Sequence, residues 1–385
     1  MTLACWPRAL PIVVDYGGSP ELDPPTLEDE DDIMVALKRP DRVNSISLTI
    51  SSSLLERLSA AFNRPFPNLE NLILLSRGCV RLTMPSAFRW GRHLRRLHST
   101  GITIPALIRC SSRNLVDLQL HEVLNPWDFS RNVLSDDLPW MAQLQSLSLH
   151  LHPTTIDIVS VSPPFLNRAV LPALTRLQYR GITEDLENLV ARIDAPSLED
   201  IEVRFPRKSI TKFSEFTAFI GRIEIHKSYR QAHVLSSEHA ISISLITPGV
   251  PTRLKFQLFC KPLSEQLSYM AQIFTGLSAL LFHVEDLRIN VTRQSKQEDA
   301  SYTRRWLKLL NLFEGVPALH GLYIPQPGPR HVPLRQALVS FMTLRRLSRH
   351  PIAIEYEQPT HMSELTGAGT KHAQCRHHCS LTCFQ

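Results

Sequence analysis

No stretch of this chain is apolar for long enough to cross a bilayer. The longest hydrophobic region, Phe274 to Val284, falls far short of the roughly 20 residues a membrane helix needs. The opening segment MTLACWPRALPIVV has no basic leader and is interrupted by Pro7, Arg8 and Pro11, so it does not read as a secretion signal. Catalytic signatures are missing as well: there is no nucleophile elbow, phosphate-binding glycine loop, dinucleotide fingerprint or H-E-x-x-H pair. Glycine is scarce, at 14 of 385 residues. Leucine-heavy units with so few glycines suit stacked repeats better than a nucleotide-binding sheet. Cysteine is present in an odd number, seven. Cys5, Cys79, Cys110 and Cys260 sit alone in apolar or loop contexts and read as free buried thiols, which favours a reducing compartment. A noncatalytic, cytoplasmic or nuclear protein without a cofactor is therefore expected, with no membrane contact.

What is present supports a folded core, because 43% of the residues are apolar and 20% charged. The net charge of +6 conceals an asymmetry: Asp15 to Asp32 carries eight acidic residues and no basic one, which leaves +14 on the remainder. The acids Glu28 to Asp32 precede Ile33, Met34, Val35 and Leu37, a position at which a helix N-terminus favours negative charge. The arginines are spread along the chain rather than gathered in one block. Nucleic acid is accordingly not the expected partner, although a polyanion-binding basic face is the main alternative reading.

The segment Leu174 to Val203, LTRLQYRGITEDLENLVARIDAPSLEDIEV, carries an L-x-x-L-x-L pattern twice around a helical stripe of Leu186, Leu189, Val190 and Ile193. The same pattern begins at Val43, Leu69, Leu94, Leu115, Leu144, Leu174, Leu198, Ile220, Ala240, Val284 and Leu319. Leu10 to Tyr16 fits an earlier strand. A turn of glycine, isoleucine and threonine recurs at Gly101 and Gly181, each time seven residues after the first leucine. Leu254, Phe256 and Leu258 alternate as a strand inside the longest interval. Helical stripes follow at Leu263, Leu267, Met270 and Phe274, at Trp306, Leu309, Leu310 and Phe313, and from Leu334 to Leu347. The predicted fold is α/β: a leucine-rich-repeat-like solenoid with irregular repeats, a curved, mainly parallel sheet, and helices and loops on the convex side. Its predicted organisation is an N-terminal cap with the acidic segment at 1–42, the solenoid at 43–350 and a His/Cys-rich disordered tail at 351–385.

Alternation along each strand sends the third, fifth and seventh repeat positions away from the core, and parallel stacking aligns equal positions about 5 Å apart. The seventh positions form a row of Thr100, His121, His150, Arg180, Arg204 and His226. His98 and Glu202 fall in the fifth row, and Arg96, Arg176, Asp200 and Arg222 in the third. The expected partner-binding residues on the concave face are Arg96, His98, His121, His150, Arg176, Arg180, Arg204, Arg222 and His226. They suit an acidic or phosphorylated segment of a protein partner, bound by a monomer. In the tail, Cys375, His378, Cys379 and Cys383 are metal-ligand residue types. They lack the core-forming segment of a dozen or so residues that separates ligand pairs in structural zinc fingers, so no metal site is assigned.

The segments EDEDDIMVALKRPDRVNSISLTI (Glu28 to Ile50), FRWGRHLRRLHSTGI (Phe88 to Ile102), LVDLQLHEV (Leu115 to Val123), LPALTRLQYRGI (Leu171 to Ile182), LVARIDAPSLEDIEV (Leu189 to Val203) and FHVEDLRI (Phe282 to Ile289) resemble F-box-associated leucine-rich-repeat-like proteins of mushroom-forming fungi. The resemblance spans about 300 residues. It implies the substrate-recruiting arm of a cullin-type ubiquitin ligase. The F-box motif itself, an L-P-x-E-x-L start followed by an isoleucine-phenylalanine pair, does not occur, and the ninth repeat positions Arg77, Ile102, Val123, His152 and Ile182 carry no asparagine ladder. A nonfunctional fragment of such a family is the third reading.

Overall fold

The computed structural model describes residues 10–16, 27–61, 65–76, 82–83, 92–103, 112–123, 138–151, 168–206, 213–224, 229–237, 240–259, 263–291, 300–313, 316, 321–325, 336–341 and 353–357. Fourteen strands lie in one open sheet. They are β1 (Ile12–Tyr16), β2 (Val43–Ile50), β3 (Asn71–Ser76), β4 (Arg96–Thr100), β5 (Asp117–Val123), β6 (Ser146–Leu151), β7 (Arg176–Arg180), β8 (Asp200–Phe205), β9 (Gln231–Ser236), β10 (Ile241–Ile246), β11 (Arg253–Leu258), β12 (Asp286–Val291), β13 (Gly321–Pro325) and β14 (Ala353–Glu357). Across the sheet their order is β1 to β8 in sequence, then β11, β10, β9, and then β12 to β14. Neighbours are parallel except where β10 meets β11 and β9. The end strands β1 and β14 are each paired on one side, so the sheet does not close into a barrel.

The helices are α1 (Leu27–Leu37), α2 (Ser52–Ala61), α3 (Thr183–Arg192), α4 (Ser214–Gly221), α5 (Leu263–Gly276), α6 (Ser278–Leu281) and α7 (Ala300–Leu310), with a further helical segment at 336–341. Their apolar stripes and one face of the sheet form a single hydrophobic cluster that runs from Ile12 to Phe341. Among the described residues, no helix is long and apolar enough to cross a membrane.

The motif leucines make both the core and the turns that start each strand. Leu69, Leu144, Leu174 and Leu198 are fully buried, and each donates its N–H to the carbonyl three residues earlier. One residue further on, a second device repeats at constant phase. The carbonyls of Glu70, Arg95, Val116, Gln145 and Thr175 each accept two N–H groups from the start of the next strand in the sheet, and that of Glu199 accepts the Arg253 N–H, all at 2.8–3.1 Å. These main-chain bonds satisfy backbone groups that burial would otherwise leave unpaired. Asparagines add to the ladder just before two entry leucines. The Asn68 amide donates to the Asp41 carbonyl (2.6 Å), and the Asn114 amide donates to the Arg92 carbonyl (2.7 Å).

The two glycine turns play the same role: the Gly101 N–H donates to the His121 carbonyl, and the Gly181 N–H to that of Arg204. Their local demands differ. Gly101 lies at φ +70°, in the left-handed region, whereas a Cβ on Gly181 would fall 2.4 Å from the Tyr179 hydroxyl. That hydroxyl donates to the Ile182 carbonyl (2.7 Å), which closes the turn before α3. The helix then places Glu184 and Asp185 in its first turn and Arg192 in its last, as the helix dipole favours. Its Glu187 carboxylate accepts the N–H groups of Glu215 and Phe216 at 2.8 and 2.9 Å, capping α4 from the neighbouring element. In α2, Ser51 accepts the Leu54 N–H as expected of a cap. The acidic run is more than a solvated helix start, because Glu30 is buried and Arg57 of α2 pairs with both Glu30 and Asp31.

Three expectations are corrected. The unit phased at Ile220 is not a strand: Phe216, Phe219, Ile220 and Ile223 follow the i, i+3, i+4, i+7 spacing of a helix face, and the first three bury from α4. A three-residue apolar spacing serves a helix and L-x-x-L equally. The unit at Ala240 is a strand, but an antiparallel one, set within a reversed meander of β9, β10 and β11. Finally, Ala353–Glu357 was expected in the disordered tail and is instead β14, parallel to β13. The cap strand β1 is also the first strand of the main sheet, parallel to β2 with a one-residue register shift between Ile12 and Val13. Cys375, His378, Cys379 and Cys383 lie outside the described residues.

Candidate functional site

Side chains on the second face of the sheet fall into rows fixed by strand register. Thr100 sits beside His121, His150 beside Arg180, and Arg180 beside Arg204. The row below contains His98, Gln119, Ser148, Gln178 and Glu202, and the lowest contains Arg96, Asp117, Ser146, Arg176 and Asp200. Seven of the nine expected binding residues are therefore brought onto one surface. The other two are not placed there. Arg222 lies at the end of α4, where it bonds Asp194 (3.4 Å) and the Ile193 carbonyl (3.2 Å) and covers the Phe219 ring. His226 lies outside the described residues.

The strand that takes the place of the misphased unit is β11, which supplies Arg253, Lys255 and Gln257 beside Asp200, Glu202 and Arg204. Its alternation marks it as a strand in the sequence. What the sequence hides is its partner, because β8 and β11 are separated by the whole β9–β10 hairpin.

The histidines do not behave as exposed bases. His121 and His150 stack with ring centroids 3.8 Å apart and an interplanar angle of 8°, and His98 meets His121 edge-on at 5.0 Å. The Nε2 atom of His121 lies 3.1 Å from the Ser148 hydroxyl, and that of His98 lies 3.3 Å from the Thr100 hydroxyl. Partial burial pushes the His121 ring down to about 4, helped by His98 and Arg180. Burial also brings His150 to about 3, with His121, Arg180 and Arg204 adding repulsion and Glu202 opposing it. His98 is lowered for the same first reason, against the attraction of Asp117. All three rings are neutral near pH 7, so the row expected to be basic is cationic at one end only.

That end is organised by two carboxylates. Asp200 receives Arg253 through two contacts of 3.0 and 3.2 Å and Arg176 at 3.4 Å. Glu202, nearly buried, receives Arg204 and Lys255, each at 3.0 Å, and these cations hold its carboxyl below the usual range. Arg180 is exposed and pairs with no carboxylate among the described residues. The outward face of β7, β8 and β11 thus holds five cations against two anions. Its fixed ion pairs hold Arg204 in place, while Arg180, without a carboxylate partner among the described residues, is placed to meet an acidic group.

A separate cleft of about 490 Å³ opens where the strands begin, lined by Leu10, Arg42, Asn68, Glu70 and His93. Its Arg42 and Asn68 are already engaged with the Leu10 and Asp41 carbonyls. Among the described residues, no group of three or more His, Cys, Asp or Glu side chains is placed to hold a metal ion. No protein-family model matches the chain, and a search of curated proteins finds no match either.

Proposed function

We propose that the protein is a noncatalytic interaction scaffold, built as a leucine-rich-repeat-like solenoid, that captures an acidic or phosphorylated segment of a protein partner on the outward strand face. The observation that carries this reading is the register-aligned strip from β4 to β11, in which Arg180, paired with no carboxylate among the described residues, stands beside Arg204. The turn and carbonyl ladders that recur at constant phase support the solenoid assignment. In cellular terms the reading is a monomer acting in cytoplasm or nucleus. Its role resembles that of the substrate-recruiting arm of an F-box ubiquitin-ligase receptor.

Charge reversal at two positions tests it. Arg180→Glu with Arg204→Glu should abolish partner capture, measured by pull-down and mass spectrometry. The thermal midpoint should fall modestly, because a carboxylate at position 204 repels Glu202 while Lys255 still pairs with it, so Arg180→Glu with Arg204→Gln serves as the control that keeps the fold. Capture that survives the double substitution refutes the site. The surplus of cations on β7, β8 and β11 also favours a second reading, polyanion binding. That mode predicts affinity for DNA or RNA that falls steeply with ionic strength.

A further inference from the structure

The outward face changes character from one end of the strip to the other. On β3 the outward positions Ile73 and Leu75 are aliphatic and only half-buried, and register places Leu75 beside Thr100. Next come the stacked, neutral rings of His121 and His150, and then Arg180 and Arg204. Along the upper row an apolar ledge, a hydrogen-bonding but uncharged centre and a cationic end thus follow one another across the strands, while Arg96 and Asp117 sit two rows lower on β4 and β5.

We propose that this gradient reads an extended acidic peptide laid across the strands, with an apolar anchor over Ile73 and Leu75 and its acidic residues at Arg180 and Arg204. The proposal rests on the interaction-scaffold reading and sharpens it by fixing a spacing. From β3 to β7 there are four interstrand steps. At about 4.8 Å each they span roughly 19 Å. An extended chain advances about 3.3 Å per residue, so anchor and acid stand roughly six residues apart. A nucleic acid fits this surface poorly. Its phosphates repeat along its whole length, whereas among the described residues the upper row is cationic only at the neighbouring Arg180 and Arg204, and Arg96 lies apart on β4.

Selection of a random 12-residue peptide library on the full chain at neutral pH, followed by fluorescence anisotropy of the selected peptides, tests the spacing. The expected family carries an aliphatic or aromatic residue about six positions from an acidic pair. Moving the pair by three residues should weaken binding about tenfold, and so should Leu75→Asp with an unchanged thermal midpoint. The spacer series needs no altered protein, so a Leu75 variant that fails to fold leaves the test intact. Selection without that spacing, or with no enriched peptide at all, overturns the proposal. If binding ignores the spacing and Leu75 yet is lost on charge reversal at Arg180 and Arg204, the gradient fails and the scaffold reading stands. If charge reversal also has no effect, both fail.

Discussion

Lowering the pH from 7 to 5 should weaken the fold through two stacked imidazoles. His121 and His150 are held at about 4 and about 3 in the folded chain, against about 6.5 when unfolded. Between those values the unfolded chain binds protons that the folded chain refuses, so stability is full above pH 6.5 and falls as the pH drops toward 4 and then 3. At pH 5 an unfolded imidazole is about 1.5 units below its own pKa, which sets a ceiling of roughly 2 kcal/mol per ring. Both rings remain partly open to water, so screening brings the total for the pair to about 2 kcal/mol. Asp185 works in the opposite sense over the same window. Burial, with Glu184 nearby, raises its carboxyl to about 6, and acidification relieves that cost. The histidine contribution is therefore isolated by comparing the wild type with His121→Gln/His150→Gln. Urea unfolding at pH 7, 6 and 5 should show the double variant losing about 2 kcal/mol less than the wild type between the extremes. Equal losses in the two proteins would falsify the claim that these rings are held neutral.

Asp185→Asn removes a buried carboxylate with one oxygen unpartnered among the described residues. It should stabilise the chain by about 1–2 kcal/mol at pH 7.5 and by nothing at pH 4, in the same urea assay. Gly181→Ala drives a methyl group into the Tyr179 hydroxyl and should cost about 1–3 kcal/mol. Adding Tyr179→Phe should recover part of that loss, and strictly additive effects would show that the two positions do not clash. Leu177→Ala empties a fully buried site between β6 and β8 and should cost about 2–5 kcal/mol in calorimetry or urea unfolding. A loss below 1 kcal/mol would mean that the layer collapses around the gap.

The parallel run from β2 to β8 was legible because the strands repeat one constraint: an apolar entry residue stands at or just before the strand's start and two more inward positions are buried, apolar in every strand but β4, where the second is Ser99. Position in the motif then fixes register, which is why Arg180 and Arg204 could be placed side by side from spacing alone. The meander was hidden for a physical reason. Alternation has the same period in either strand direction, so Ile241, Ile243 and Leu245 look identical whether the strand runs up or down. Entry positions there are also disguised, with Tyr229 standing where most units have leucine. Lys255 and Arg253 were visible as the polar half of an alternating strand, yet nothing local says that β11 adds to β8. Charge state was illegible too. The neutrality of His121 and His150 comes from burial and from the repulsion of neighbouring groups on other strands, Arg180 among them, which no single segment encodes.

The reversed meander also sets the order in which the sheet can be completed as the chain leaves the ribosome. Strands β1 to β8 can each dock on the strand made just before them. The next neighbour of β8 is β11, so its open edge waits until residues 206–252 have emerged. At about 5–20 residues per second that wait lasts roughly 2–9 s. Throughout it, β8 offers Ile201, Val203 and Phe205 beside a row of unpaired backbone groups, the template on which a second chain can pair. A chain halted inside 206–252 keeps that edge permanently, whereas one halted just after Phe259 has β11 to cover it. Translational stalls and premature stops within those residues should therefore leave a long-lived, aggregation-prone edge on β8.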